Sequence, residues 1–259
     1  MLIAVKVLTG ESQTIVLRIS TFGGLHIERD GCPLDLPPRQ ARHMLAYLIL
    51  NHNQPLPRDL LAGTFWPDRP NSRARRALSQ ALWQIRTALG PSADRLISDA
   101  DHVTFILKND DVLDLDDFEE RTRGEDLAQL RQAVALYRAD FLEGYYEDWA
   151  LLERERLREI YLSALETLVV LHKRRGDFER ALAIAQQLAR ADPLRESAHR
   201  ELMTLYRLLN RPRAALGQYQ TLCGILAEEM QAEPLPSSAR LAQEIAASLT
   251  TDASPPLPF

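Results

Sequence analysis

The stretch NSRARRALSQALWQIRTAL, Asn71–Leu89, decides how this chain is read. Leu78, Leu82, Ile85 and Leu89 recur at i, i+4, i+7 and i+11, which lays one apolar stripe along an α-helix. Asn71 or Ser72 is placed to cap its start, and Gly90-Pro91 to stop it. The other face carries Arg73, Arg75, Arg76, Ser79, Gln80, Trp83, Gln84, Arg86 and Thr87, with no carboxylate between Asn71 and Leu89. Guanidiniums, amides and hydroxyls pair with phosphates and base edges. A solvated helix face can have the same composition, so the flanking sequence has to decide.

Upstream, Leu17, Ile19, Leu25 and Ile27 supply short β-type runs, with turns at Gly23-Gly24 and Asp30-Gly31. Pro37-Pro38 ends them. A helix is expected from Arg39, since Ala41, Met44, Leu45, Leu48 and Ile49 recur at helical spacing up to Asn51-His52-Asn53. A second, short helix begins at Pro57-Arg58 and ends at Trp66-Pro67. Downstream, 95–98 and 103–107 flank the turn Asp99-Ala100-Asp101-His102 and read as a hairpin. In a sheet, helix, helix, helix, hairpin order, the first two helices prop the third into a DNA groove and the hairpin is the wing.

Charge divides the chain in the same place. Residues 1–109 carry thirteen Lys and Arg against nine Asp and Glu, a net of +4, whereas 110–259 carry eighteen against twenty-seven, a net of −9. Only the first half suits phosphate. The sign changes at Asn109-Asp110-Asp111, the expected boundary between a domain at 17–109 and one at 110–250. Residues 1–16 are an extension or extra strand, and 251–259 a tail.

Beyond residue 124 a repeat appears at an offset of 34. It pairs Ala164 with Ala198, Leu168 with Leu202, Leu171 with Leu205, Gly176 with Asn210, Ala181 with Ala215, Leu182 with Leu216 and Leu188 with Leu222. That is the period of TPR helix pairs, with Leu in the seam, Ala at close approach and a turn between. Helices are expected at 127–142, 149–175 and 236–249 as flanking caps. The fold class is therefore an α+β winged helix followed by an all-α TPR-like array.

The residues also resemble a known family, the regulators of the Streptomyces antibiotic regulatory protein (SARP) type, and the resemblance implies that the winged helix is of the response-regulator type. In the first half the resemblance lies in Phe22-Gly23-Gly24-Leu25, Arg39-Gln40-Ala41-Arg42, Leu45-Ala46-Tyr47-Leu48, Leu60-Leu61, Phe65-Trp66-Pro67-Asp68 and residues 74–89. The second half is similar to the bacterial transcriptional activation domain, at Asp114-Leu115-Asp116-Asp117-Phe118, Phe141-Leu142-Glu143-Gly144, Trp149, Gly176-Asp177, Asp192-Pro193-Leu194-Arg195-Glu196 and 229–234. What this resemblance implies is a helix, 71–89, entering the major groove of promoter direct repeats, usually as a side-by-side dimer, and recruitment of RNA polymerase with its sigma factor. The hairpin tip differs from the family's usual Gly-Tyr type in carrying Asp99 and Asp101, which leaves His102 as its contributor to DNA.

Chemistry is not indicated. The chain lacks GxxxxGK[ST], HExxH and GxSxG, and it has no GxGxxG after a strand. His43, His172 and His199 have no partner His at i+3 or i+4, and Cys32 and Cys223 stand apart without a CxxC, so no metal, cofactor or disulfide is expected. No apolar run reaches the ~20 residues of a membrane span, and no signal peptide is legible, so a cytoplasmic location is expected. The chain reads as a non-enzymatic activator that binds double-stranded DNA. Arg75, Arg76, Gln80 and Gln84 are the base-facing candidates and Arg39, Arg58 and Arg73 the phosphate contacts. Its rivals are a TPR-type adaptor and a ligand-sensing regulator without direct DNA readout.

Overall fold

The computed structural model describes residues 15–251. The extension expected at 1–16 and the tail expected at 251–259 lie outside the described residues, apart from their innermost positions. The chain divides into two units. One runs to Leu115 and includes Phe141–Tyr146; the other comprises Asp116–Asp140 and the chain from Glu147 onward.

In the N-terminal unit β1 (Leu17–Ser20), β2 (His26–Arg29) and β3 (Cys32–Pro33) form an antiparallel meander. Asp30 and Gly31 both have positive φ, the geometry of the two-residue hairpin turn that Asp-Gly favours. Three helices follow: α1 (Arg39–Leu50), α2 (Arg58–Phe65) and α3 (Asn71–Leu89). Ala74, Leu78, Ala81, Leu82, Ile85 and Leu89 are the buried stripe of α3, which packs on α1 and α2. Burying each large side chain contributes roughly 1.5–3 kcal/mol.

The predicted cap of α3 is not what forms. Asn71 is already helical, and the Pro70 carbonyl accepts from the Arg73 and Ala74 N–H groups, with no side-chain cap. Proline, extended and lacking an N–H, stops helical winding one residue before Asn71. At the far end Gly90, at φ +52°, leads into a 3-10 turn (Gly90–Arg95) and not into a loop.

The hairpin forms from β5 (Leu96–Ser98) and β6 (His102–Phe105), and it gains a strand that pattern reading missed. This is β4 (Leu56–Pro57), which pairs with β6 through Leu56↔Val103 and Pro57↔His102 immediately before α2 begins. Two residues are too few to show a period.

The boundary expected at 109/110 falls a few residues early. Asp111 accepts from the Leu17 N–H and the Arg95 guanidinium, and β7 (Val112–Leu113) then pairs in parallel with β1. Asp114 accepts from the Thr21 N–H, the Thr21 hydroxyl and the Phe22 N–H. Burial raises the Asp114 pKa against those bonds. The acidic run therefore holds polar fold contacts and is not a linker.

The second unit is helical: α4 (Asp114–Thr122) leads in from the boundary, then come α5 (Leu127–Leu136), α6 (Asp148–Arg174), α7 (Phe178–Ala191), α8 (Glu196–Leu208), α9 (Pro212–Met230) and α10 (Pro236–Thr251). Helix α5 ends at Leu136, short of the expected 142. Phe141 bridges to Phe22, and Leu142, at φ +46°, donates to the Thr21 carbonyl, so this segment belongs to the first unit. From α6 to α10 each helix packs on the next. Ala164 and Ala198, Leu168 and Leu202, Ala181 and Ala215, and Leu188 and Leu222 are buried in pairs. Gly176 and Asn210 both adopt positive φ, at the same step of the 34-residue offset.

His199 is buried between α8 and α9. Its Nε2 lies 3.0 Å from the Pro193 carbonyl and its Nδ1 2.7 Å from Gln218 Nε2, an arrangement suited to neutral imidazole with the proton on Nε2. Burial lowers its pKa, against the Pro193 bond and the nearby Glu196 and Asp192. A base with a depressed folded pKa contributes stability that is present above the unfolded value, near 6.5, and is lost as pH falls through the folded one. The melting temperature of the helical unit is expected to drop on acidification below about pH 6.5. His199→Gln should flatten that slope in a calorimetric pH series.

Candidate nucleic-acid interface

At about 3.6 residues per turn, the side of α3 opposite Leu78 is centred on Arg76, Trp83, Thr87 and Gln80. Arg73, Arg76, Gln80 and Thr87 are exposed, as is Trp83, at 64%. Gln84 is half-buried and lines an open cleft of about 370 Å³ with Gln80, Gln40, Pro38 and Arg69. Arg39, exposed at the start of α1, stands between two of those residues, Pro38 and Gln40. Exposed Arg69 is a cation at this face that the helix-by-helix reading passed over.

The other flank is occupied by contacts among the candidates themselves. The Arg58 N–H donates to the Asp101 carbonyl at 2.8 Å, Arg58 Nη1 to Ser98 Oγ at 2.7 Å and Nη2 to Ser79 Oγ at 3.2 Å. One residue thereby ties α2 to both α3 and the hairpin. Arg75, expected in the middle of the outer face, lies on this flank and is paired with Asp59 of α2. A stretch free of carboxylates at 71–89 does not exclude a carboxylate from a neighbouring helix, and this pairing is not legible from α3 alone. An acidic residue in the first turn of α2 was the one available signal.

Other donors are partly committed. The hydroxyl of Ser79 donates to the Arg75 carbonyl and that of Thr87 to the Trp83 carbonyl, so in this arrangement both turn lone pairs and not protons outward. Arg86 is half-buried, with Nη2 3.5 Å from the Leu96 carbonyl, and is directed at the hairpin. The hairpin tip has its own logic. Asp99 Oδ1 accepts from the His102 and Asp101 N–H groups, which closes the turn and lowers the Asp99 pKa. His102 is exposed beside it, its Nδ1 4.0 Å from Asp99. Turn chemistry thus explains Asp99.

Among the described residues no group of three His, Cys, Asp or Glu side chains is placed to hold a metal ion, and no helix is long and apolar enough to cross a membrane.

Comparison with known proteins gives a family and a shared fold. The model of the bacterial transcriptional activator domain matches residues 113–246. Regulatory protein AfsR of Streptomyces coelicolor is 27% identical over 252 residues, covering 91% of this chain, which in turn spans only 25% of AfsR. Transcriptional regulatory protein MoaR1 of Mycobacterium tuberculosis is 25% identical, over 91% of this chain and 81% of its own length. Transcriptional regulatory protein EmbR of the same organism is 27% identical, over 92% and 65%. The solved structure of Mycobacterium tuberculosis EmbR in complex with a low affinity phosphopeptide superposes with a TM-score of 0.75 at 23% identity, covering 94% of this chain and 67% of that one, which establishes a shared fold. The chain belongs to the bacterial transcriptional activator domain family, and with it to the SARP-type transcriptional regulators.

Proposed function

We propose that this protein is a sequence-specific activator. Its N-terminal unit is a winged helix with α3 in the major groove of double-stranded DNA and the β5–β6 hairpin as the wing; its helical unit is a TPR-like surface that recruits RNA polymerase and its sigma factor. The observation that carries the reading is the outer face of α3. Arg73, Arg76, Gln80 and Trp83 stand exposed on a helix without carboxylates, fixed from behind by six buried apolar residues. Arg76 and Gln80 read bases; Arg39, Arg58 and Arg73 hold phosphates, Arg73 beside the uncapped positive end of the helix. Promoter direct repeats would be met by two copies side by side. The net charge of −9 over 110–259 suits a basic protein surface and not DNA.

Salt tests the reading. With three phosphate contacts, the affinity of the full chain for a labelled duplex should fall with a log–log slope of about −3 against salt concentration, at roughly −0.9 per neutralised phosphate. Fluorescence anisotropy measures it. An absence of binding at low salt would leave a protein-binding adaptor as the better account.

A further inference from the structure

The Arg75–Asp59 pair has a geometry that its place in the fold does not require. Arg75 Nε donates to Asp59 Oδ1 at 2.9 Å and Nη2 donates to Oδ2 at 2.8 Å, a two-point contact along one edge of the guanidinium. Their side chains are 62% and 71% exposed, so burial does not hold them together and the pair adds little to stability.

A guanidinium is planar and offers two bidentate edges. Asp59 takes the edge made by Nε and Nη2. The edge made by Nη1 and the second Nη2 hydrogen has no hydrogen-bond partner among the described residues, and the carboxylate fixes the plane in which it is presented.

Charge then selects what that edge can accept. The carboxylate cancels much of the guanidinium's attraction for anions, and a phosphate at the free edge would lie well within a Debye length of it. A neutral pair of acceptors suffers no such repulsion. In the major groove, the neutral edge that matches an Arg fork is guanine O6 and N7. Arg75 is also in the second turn of α3, near the end at which a recognition helix meets bases.

We propose that Asp59 is a positioning residue that makes Arg75 a reader of guanine and not a phosphate contact. This rests on the reading that α3 enters the major groove. It is tested by selecting duplexes from a randomised library with the full chain, and then with Asp59→Asn and Arg75→Ala. Wild type is expected to enrich sites with a guanine that Arg75→Ala no longer distinguishes. Asp59→Asn should lose about tenfold of the preference for that same guanine while keeping the rest of the selected sequence. Its affinity for bulk DNA should not fall, because a negative charge has been removed near the duplex, and its salt slope should stay the same or steepen by at most about one. Thermal unfolding of both variants is expected to match wild type, since both side chains are exposed.

Guanine preference retained in Asp59→Asn overturns the proposal, and Asp59 is then a competitor for phosphate or a solvated surface charge. Enrichment by wild type of a sequence with no base dependence on Arg75 also overturns it, and leaves the DNA reading standing. If wild type enriches nothing, both fall together.

Discussion

Arg95→Met is expected to destabilise the N-terminal unit by about 3–5 kcal/mol, the cost of leaving one member of a buried ion pair without its partner. Both side chains are out of water, Arg95 at 1% exposure and Asp111 at 0%. Arg95 Nε and Nη2 meet the two oxygens of Asp111 at 3.1 and 3.0 Å, Nη2 also reaches the Ile15 carbonyl, and Nη1 reaches Asp94. Asp111 in turn accepts from the Leu17 and Lys108 N–H groups. One pair therefore joins the entry to β1, the end of the 3-10 turn after α3 and the approach to β7. Truncating the guanidinium strands a buried carboxylate, whereas Arg95→Met with Asp111→Asn leaves a neutral amide whose oxygen still accepts one of the two N–H groups. The double variant should recover part of the loss. Urea unfolding followed through Trp66 and Trp83, both in this unit, reads the effect. A single variant within about 1 kcal/mol of wild type would mean that water or a rearranged neighbour satisfies Asp111.

The same pair sets an acid limit. Burial works against the Asp111 charge, but Arg95 and the two backbone N–H groups outweigh it and the pKa is lowered. A carboxylate with a depressed folded pKa contributes stability that is complete above its unfolded value, near 3.9, and is lost as pH falls through the folded one. This contribution disappears at lower pH than that of His199, so the helical unit is expected to weaken first on acidification.

What was legible in the sequence follows from which forces act along the chain and which act across it. The buried face of α3 was readable because four large apolar residues at helical spacing have one way to face a core. The β2–β3 turn was readable because Asp-Gly tolerates two successive positive φ values. The 34-residue offset was readable because close helix packing imposes Ala and Leu at fixed positions, and Gly176 and Asn210 share the left-handed turn that separates each pair. Other features depend on partners far away in sequence. A carboxylate in an acidic run can be a solvated linker charge or, like Asp111, the partner of a buried arginine 16 positions earlier. Charge arithmetic sums the two alike, and the expected boundary moved accordingly. Phe141 and Leu142 continue an apolar pattern compatible with helix, yet Leu142 spends its N–H on Thr21, 121 positions upstream in numbering. At the candidate interface the helix expected at 71–89 forms, but the reading of its outer face took in Arg75 and Arg86, because a charge list has no angle. The angular order of a 19-residue helix moves both to its flank, where Asp59 of α2 meets Arg75 and the Leu96 carbonyl of the hairpin meets Arg86.

That angular order singles out Arg76 and Gln80 for the second large effect. They sit one turn apart on the exposed face, and neither is engaged by any hydrogen bond or ion pair within the described residues, so substitution touches no fold contact. Replacing either by Ala is expected to cost about 1–3 kcal/mol of specific binding. Neighbours at i and i+4 can share a base step, so their effects need not add; the double variant should lose at least about 2 kcal/mol, or roughly thirtyfold in affinity. The two losses should differ in kind. Gln80→Ala removes donors and acceptors without charge, so only discrimination between sequences should suffer, whereas Arg76→Ala also removes a cation and should flatten the salt slope by up to about one. Electrophoretic shifts on a selected duplex and on bulk DNA, read at two salt concentrations, separate these components. If the double variant binds the selected duplex as tightly as wild type does, the exposed face of α3 is not what meets the bases, and Arg58, Ser98 and the hairpin become the surface to probe instead.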